Sequence, residues 1–103
     1  MHAEISQKRD GLIALCRRYD VARLEVFGSA ARGTDFDPVA SDADFLVTFN
    51  PGSRIDPLEQ FFGLTEALKV LLGRPVDLVE AGAIRNPFLL AAIDKAREVV
   101  YAQ

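Results

Sequence analysis

Two aspartates two residues apart, Asp42 and Asp44, open the apolar run S-D-A-D-F-L-V at residues 41–47. Side chains alternate faces along a strand. Both carboxylates therefore point one way, while Ala43, Phe45, Val47 and Phe49 point the other way, toward a core. Carboxylates held side by side repel one another unless a cation sits between them. Magnesium suits such a pair, because it takes oxygen ligands and commonly bridges one or two carboxylates to substrate phosphates. A third carboxylate, Asp77, interrupts the apolar run V-D-L-V-E at residues 76–80. A charge there needs a partner, a metal or a chemical role, and on an adjacent strand it completes a cluster with Asp42 and Asp44. Upstream, the apolar stretch Leu24–Phe27 runs into Gly28-Ser29. A strand that turns into a helix leaves backbone N–H groups unpaired at the helix start, where they and the helix dipole favour an anion. Gly28 lets a phosphate approach the backbone closely. Ser29 caps the short helix or gives its hydroxyl to a phosphate oxygen, and Gly33 ends that helix. Arg32 on the same helix can meet a nucleotide phosphate or pair with Asp35 or Asp37. A phosphate cradle followed by a divalent-cation site is the layout of a nucleotidyl or phosphoryl transferase.

These groups need a scaffold, and the rest of the chain reads as one. Residues 3–19 carry Ile5, Leu12, Leu15, Cys16 and Tyr19 at helical spacing, with Lys8, Arg9, Arg17 and Arg18 mostly elsewhere. Gly11 weakens that helix slightly. Residues 22–27 form the first strand and residues 34–41 a polar loop broken by Pro38, with Asp35 and Asp37 as solvated loop acids. The second strand covers residues 43–49, followed by a turn at Asn50-Pro51-Gly52-Ser53. Asp56, Pro57 and Glu59 mark the start of a helix that runs to about Leu72 and ends at Gly73. Its wide apolar face includes Leu58, Phe61, Phe62, Leu64, Leu68, Leu71 and Leu72. Most of that face is core, and a surplus could meet a partner. The third strand is residues 76–80, with Glu80 on the opposite face from Asp77 and solvated. Asn86-Pro87 starts a last helix to about Ala96, with Phe88, Leu89, Ala92 and Ile93 turned inward. Glu98 to Tyr101 add a short final strand. Strands separated by helices imply an α/β or α+β sheet with helices packed against it.

At 103 residues, half of them hydrophobic, the chain is expected to be a single domain over residues 1–103 with a modest core. A net charge of −3 argues against a broad nucleic-acid surface. One cysteine rules out an internal disulfide and suits a reducing cytoplasm. On the apolar side of its helix, Cys16 reads as core filler. The single histidine, His2, makes histidine catalysis or a histidine-ligated zinc site unexpected. Residues 1–20 are charged throughout, so no signal peptide is visible, and no run approaches the ~18 apolar residues of a membrane span.

G-S-A-A-R-G, a short spacer, S-D-A-D-F-L-V and then V-D-L-V-E about thirty residues on resemble the minimal nucleotidyltransferases of the DNA polymerase beta superfamily. Those carry G-S, D-x-D and a third carboxylate on a later strand. The G-S-x-A-R-G form on so short a chain is similar to the MNT group, whose members are often antitoxins paired with HEPN-domain toxins. The resemblance implies the nucleotidyltransferase fold, a mixed β-sheet with helices packed against it. It implies that Asp42 and Asp44 bind one or two Mg²⁺ with ATP, that Asp77 completes the second metal site and helps to activate the attacking hydroxyl, and that Gly28 and Ser29 hold the triphosphate. The chain offers no second domain for an acceptor pocket, so the expected acceptor is on a partner protein. For MNT antitoxins the resemblance implies AMP transfer from ATP to a tyrosine of the HEPN toxin, in a type VII toxin–antitoxin system. Two alternatives stay open at this point: a small-molecule acceptor held by a separate subunit, and a binding-only antitoxin with a silent site. Three clustered carboxylates, costly without a cation, argue against the silent site.

Overall fold

The computed structural model describes residues 3–27, 43–83, 87–88, 91 and 97–103. The described residues form helices α1 (Ala3–Gln7) and α2 (Arg9–Arg18), strands β1 (Val21–Phe27) and β2 (Ala43–Phe49), helix α3 (Pro57–Leu72), strand β3 (Val76–Glu80), a 3₁₀ turn at Ala81–Ala83, and strand β4 (Arg97–Ala102). The sheet order is β3-β2-β1-β4. β1 runs antiparallel to both β2 and β4, and β2 and β3 are parallel, so the sheet is mixed as expected.

The parallel pair needs a crossover, and α3 supplies it. Asp56 caps its start, accepting from the backbone N–H groups of Leu58 at 2.9 Å and Glu59 at 3.3 Å. Pro57 follows at the first helical position, and Gly73 closes the helix with φ 67°, a left-handed conformation that costs glycine little. Leu64, Leu68 and Leu72 of α3 are buried together with Ile5, Leu12 and Cys16 of the N-terminal helices. Their partners are Val21, Leu24 and Val26 of β1, Ala43, Phe45 and Val47 of β2, Val76 and Leu78 of β3, and Val100 of β4. This is the core face of the sheet, and the alternation in β2 is as the sequence implied.

Two expectations change. The N-terminal helix is two helices, broken at Lys8, whose N–H bonds back to the Ile5 carbonyl at 3.2 Å while its own carbonyl starts α2 by accepting from Leu12 at 2.9 Å. Apolar spacing carried across the break because both pieces face the same core. Gly11 lies against Leu71 of α3: a Cβ there would stand 2.7 Å from Leu71 Cδ1, so a larger residue would have to push that side chain aside. Leu58 and Phe62, counted in the apolar face of α3, are mostly exposed, as is Phe88, expected to turn inward. Leu64, Leu68 and Leu72 of that face do line the core, and Gln60 completes their stripe, about a third of a turn from Leu58 and Phe62. Of the predicted last helix, Pro87, Phe88 and residue 91 are described; Asn86, Leu89, Ala92 and Ile93 lie outside the described residues.

The start of β1 is tied down by several bonds. Asp20 adopts φ 55°, turning the chain sharply between α2 and β1. Its carbonyl accepts from Asn50 N–H at 2.9 Å, its carboxylate accepts from Ser53 Oγ at 2.6 Å, and Gln60 donates to the Tyr19 carbonyl at 2.8 Å. One end of the β1–β2 ladder is thereby clamped to the start of α3. The residues of chemical interest lie at the other end.

Candidate active site at one end of the sheet

The two aspartates that can be followed meet on one rung of the sheet. Asp44 of β2 stands in parallel register with Asp77 of β3. Neighbouring strands lie about 4.8 Å apart, so the two carboxylates are held side by side. Phe45 and Leu78, the residues that follow each, are buried in the core on the other face. Asp44 is half-buried and Asp77 exposed. The exposure of Asp77 answers the question its sequence context raised: the charge interrupts an apolar strand because that face of β3 meets solvent. Glu80 is exposed at the strand end, as read.

The rung continues through β1 and β4. Asp44 pairs with Phe27, and Phe27 pairs with Arg97. Across the face the order is thus Asp77, Asp44, Phe27, Arg97. The next rung inward is apolar apart from one residue: Val79 and Leu46 pair, Leu46 pairs with Glu25, and Glu25 with Val99. Leu46 is buried against Phe27, Val79 and Ala81, a second small cluster that backs the rung of acids.

Glu25 is the residue that sequence reading passed over. It is 3% exposed, in the middle of the apolar strand β1. Its carboxylate accepts from Arg97 Nε at 2.6 Å, from Arg97 Nη2 at 2.9 Å and from Arg23 Nε at 3.0 Å. Burial pushes its pKa up, but the hydrogen bonds and charges of Arg97 and Arg23 outweigh that and hold the carboxyl below its ordinary value. The argument applied to Asp77, that a charge within an apolar strand requires a partner, would have found Glu25 too. Its partner could not have been named, because Arg97 lies 72 residues away.

Gly28, Ser29, Arg32 and Asp42 lie outside the described residues, as do Gly33, Asp35, Asp37 and Ser41. In the sequence, Gly28-Ser29 directly follows Phe27 and Asp42 directly precedes Ala43, so both stretches begin next to the Asp77–Asp44–Phe27–Arg97 rung. The Asp44–Asp77 donor set consists of hard oxygen ligands within reach of solvent, which fits a divalent cation such as Mg²⁺. No cluster of three or more metal-ligating side chains occurs among the described residues. Among the same residues no helix is long and apolar enough to cross a membrane.

A mixed sheet with its described helices on one face and paired carboxylates on the other is the frame of a nucleotidyl-transferring enzyme, and residues 10–100 match the family model of the nucleotidyltransferase domain: the chain belongs to that family. Within it, the chain is similar to the minimal members. A solved structure described as a "putative minimal nucleotidyltransferase" superposes with a TM-score of 0.74 at 33% identity, covering 95% of both chains. A Methanocaldococcus jannaschii protein named "Putative protein adenylyltransferase MJ0128" is 38% identical over 81 residues, 79% of this chain and 78% of its own. The fold is also shared, at 18% identity and a TM-score of 0.65, with a chain from the structure of a tri-AMPylated Shewanella oneidensis HEPN toxin in complex with MNT antitoxin, covering 96% of this chain and 73% of that one.

Proposed function

We propose that this chain is a Mg²⁺-dependent protein adenylyltransferase that moves AMP from ATP to a tyrosine hydroxyl of a HEPN-domain toxin, and so acts as an antitoxin in the cytoplasm. The observation that carries the reading is the Asp44–Asp77 pair on one solvent-facing rung, at the end of β1 from which Gly28-Ser29 leads. The naming of the M. jannaschii relative for protein adenylylation, and a fold shared with a chain of the complex of AMPylated HEPN toxin and MNT antitoxin, support the choice of acceptor.

Asp42, Asp44 and Asp77 would hold one or two ions, which when bound neutralise charge on the attacking and leaving oxygens of an in-line displacement. Gly28 and Ser29, with Arg32, would hold the triphosphate. Asp77, exposed where Asp44 is half-buried, would accept the proton of the incoming hydroxyl. The tyrosine oxygen forms a bond to the α-phosphorus, the bond from that phosphorus to the bridging oxygen breaks, and pyrophosphate departs with the electron pair. The protein's own contribution is positioning and charge compensation.

The test uses the purified chain, host lysate, Mg²⁺ and ATP labelled at the α-phosphate, beside an Asp42→Asn/Asp44→Asn variant. A labelled protein band that requires both aspartates, with AMP on a toxin tyrosine by mass spectrometry, is the expected result. Label confined to small molecules would overturn the protein acceptor. Absence of transfer with any of the four nucleotides would overturn the enzymatic reading.

A further inference from the structure

Independently of the chemistry on the acid rung, we propose that the outer edge of β4 is a docking site for the free C-terminus of a partner protein. The last residues of that protein add to β4 as a short strand, its terminal aliphatic side chain fills a cavity between β4 and the N-terminal helices, and its terminal carboxylate pairs with Arg9.

The cavity has a volume of about 140 Å³ and is lined by Ile5, Ser6, Arg9, Val99 and Val100. Val99 stands opposite Glu25 on one side of the sheet, whereas Val100 belongs to the core cluster on the other. A cavity that touches both residues therefore lies against the rim of β4, where the two faces meet. β4 ends the order β3-β2-β1-β4, so among the described residues its outer edge meets no strand. Alternate backbone N–H and C=O groups on such an edge are open to an incoming strand.

The occupant follows from the lining. Ile5 is fully buried and Val100 nearly so, which makes the walls aliphatic. A dry cavity of about 150 Å³ takes up benzene, so this one suits a single leucine, isoleucine or valine side chain. Arg9, the first residue of α2, is exposed, and among the described residues no ion pair involves it. One cation and one aliphatic slot in so small a space call for a carboxylate and an aliphatic side chain on the same residue. In an extended chain the neighbouring side chain points to the opposite face, and the next on the same face is roughly 6.6 Å further along. An internal aspartate or glutamate thus carries its carboxylate away from the slot, whereas a C-terminal residue holds both groups on one Cα. A guanidinium pairs with a carboxylate through charge-assisted hydrogen bonds, which are stronger than neutral ones.

The register also limits the length of what docks. Val99 pairs with Glu25 and Tyr101 with Leu24, so Val100 is an extra residue in β4. Such a bulge bends its strand and spoils long edge-to-edge pairing. Two or three residues of a chain end can follow a bent edge where a long strand cannot. Since β4 and β3 are opposite edges of the sheet, a tail held here tethers its protein without lying over Asp77.

The test measures fluorescence anisotropy of N-terminally labelled hexapeptides ending in a free leucine, isoleucine or valine, added to the full chain. The matching C-terminal amides, and a peptide ending in glycine, should bind about tenfold or more weakly, because each lacks a charged hydrogen bond or a buried aliphatic side chain. Arg9→Gln should weaken the acid peptides to a similar degree, and Arg9→Lys, which keeps the charge, should recover part of the loss. Only alternate N–H groups of an added strand face its neighbour. Of two peptides N-methylated at successive amides, one should therefore lose binding and the other keep it. Equal binding of acid and amide, an Arg9→Gln variant that binds as the wild type does, equal effects of the two methylations, or no binding of any acid peptide at about 1 mM would overturn the docking site. Isocaproate that competes at the same concentration as the peptides would assign the cavity to a small acid. A concentration-dependent dimer of the chain, lost in Val99→Lys, would assign the edge to a second copy; either result overturns the peptide site.

Discussion

Asp77→Asn separates a structural acid from one held ready for a cation. The carboxylates of Asp44 and Asp77 project from paired positions on parallel strands. At about 5 Å the repulsion of two unit charges is about 0.8 kcal/mol in water and about 3 kcal/mol at an effective dielectric of 20. Asp77 is exposed and Asp44 half-buried, which places the value toward the lower figure, about 1 kcal/mol at low salt and less as salt screens it. In a domain of this size 1 kcal/mol is worth roughly 4–8 °C in Tm. Thermal denaturation in EDTA should therefore show Asp77→Asn melting a few degrees above the wild type. In Mg²⁺ the order should reverse: a ligand at a hundred times its Kd stabilises by about 2.7 kcal/mol, and the variant should lose most of that gain. Calcium binding at the same oxygens would give a similar shift, so activity with each ion identifies the working one. A variant less stable than the wild type in EDTA, with its Mg²⁺-induced shift intact, would refute the reasoning, because Asp77 would then serve the sheet and not a cation.

Three further outcomes follow from described contacts. The pKa of Glu25 is held below its ordinary value in the folded state, so its contribution is present above the unfolded-state pKa and is lost as pH falls through the folded one. The stability gap between wild type and Glu25→Gln, followed by urea titration, should be full at pH 7 and shrink steadily below about pH 4.5. Cys16 is fully buried, with its thiol pushed up to about 12 by burial, so thiol reagents should leave it unmodified in native protein and label it within minutes in denaturant. Asp56→Ala removes the cap of α3 and should cost about 1 kcal/mol by denaturant unfolding, without altering the slope of the transition.

Much of this architecture was legible because local chemistry and global fold agree. Asp56-Pro57 and Gly73 bracket α3 where capping rules put them, and the alternation through Ala43, Phe45 and Val47 gave the buried side of β2. The pairing of Asp44 with Asp77 follows once β2 and β3 are neighbours. What sequence could not supply was the other half of the rung. Glu25 looks like a flaw in an apolar strand until Arg97 is placed diagonally across from it on β4, and nothing local links the two. Leu58, Phe62 and Phe88 mark the converse limit: apolar character is a poor guide to burial where a helix has more hydrophobic surface than the sheet can cover.

The 72-residue separation of Glu25 from Arg97 also has a meaning in time. A ribosome adds about 5–20 residues per second, so roughly 4–14 s pass between the synthesis of the acid and that of its arginine. Through that interval one edge of β1 has no ladder partner, and the carboxylate at its centre has only Arg23 beside it. Chaperones that shield open strand edges would find their target there. The pairing that covers this edge of β1 also delivers the guanidinium, so a nascent chain completes its charged rung and moves its open edge outward to β4 in a single event.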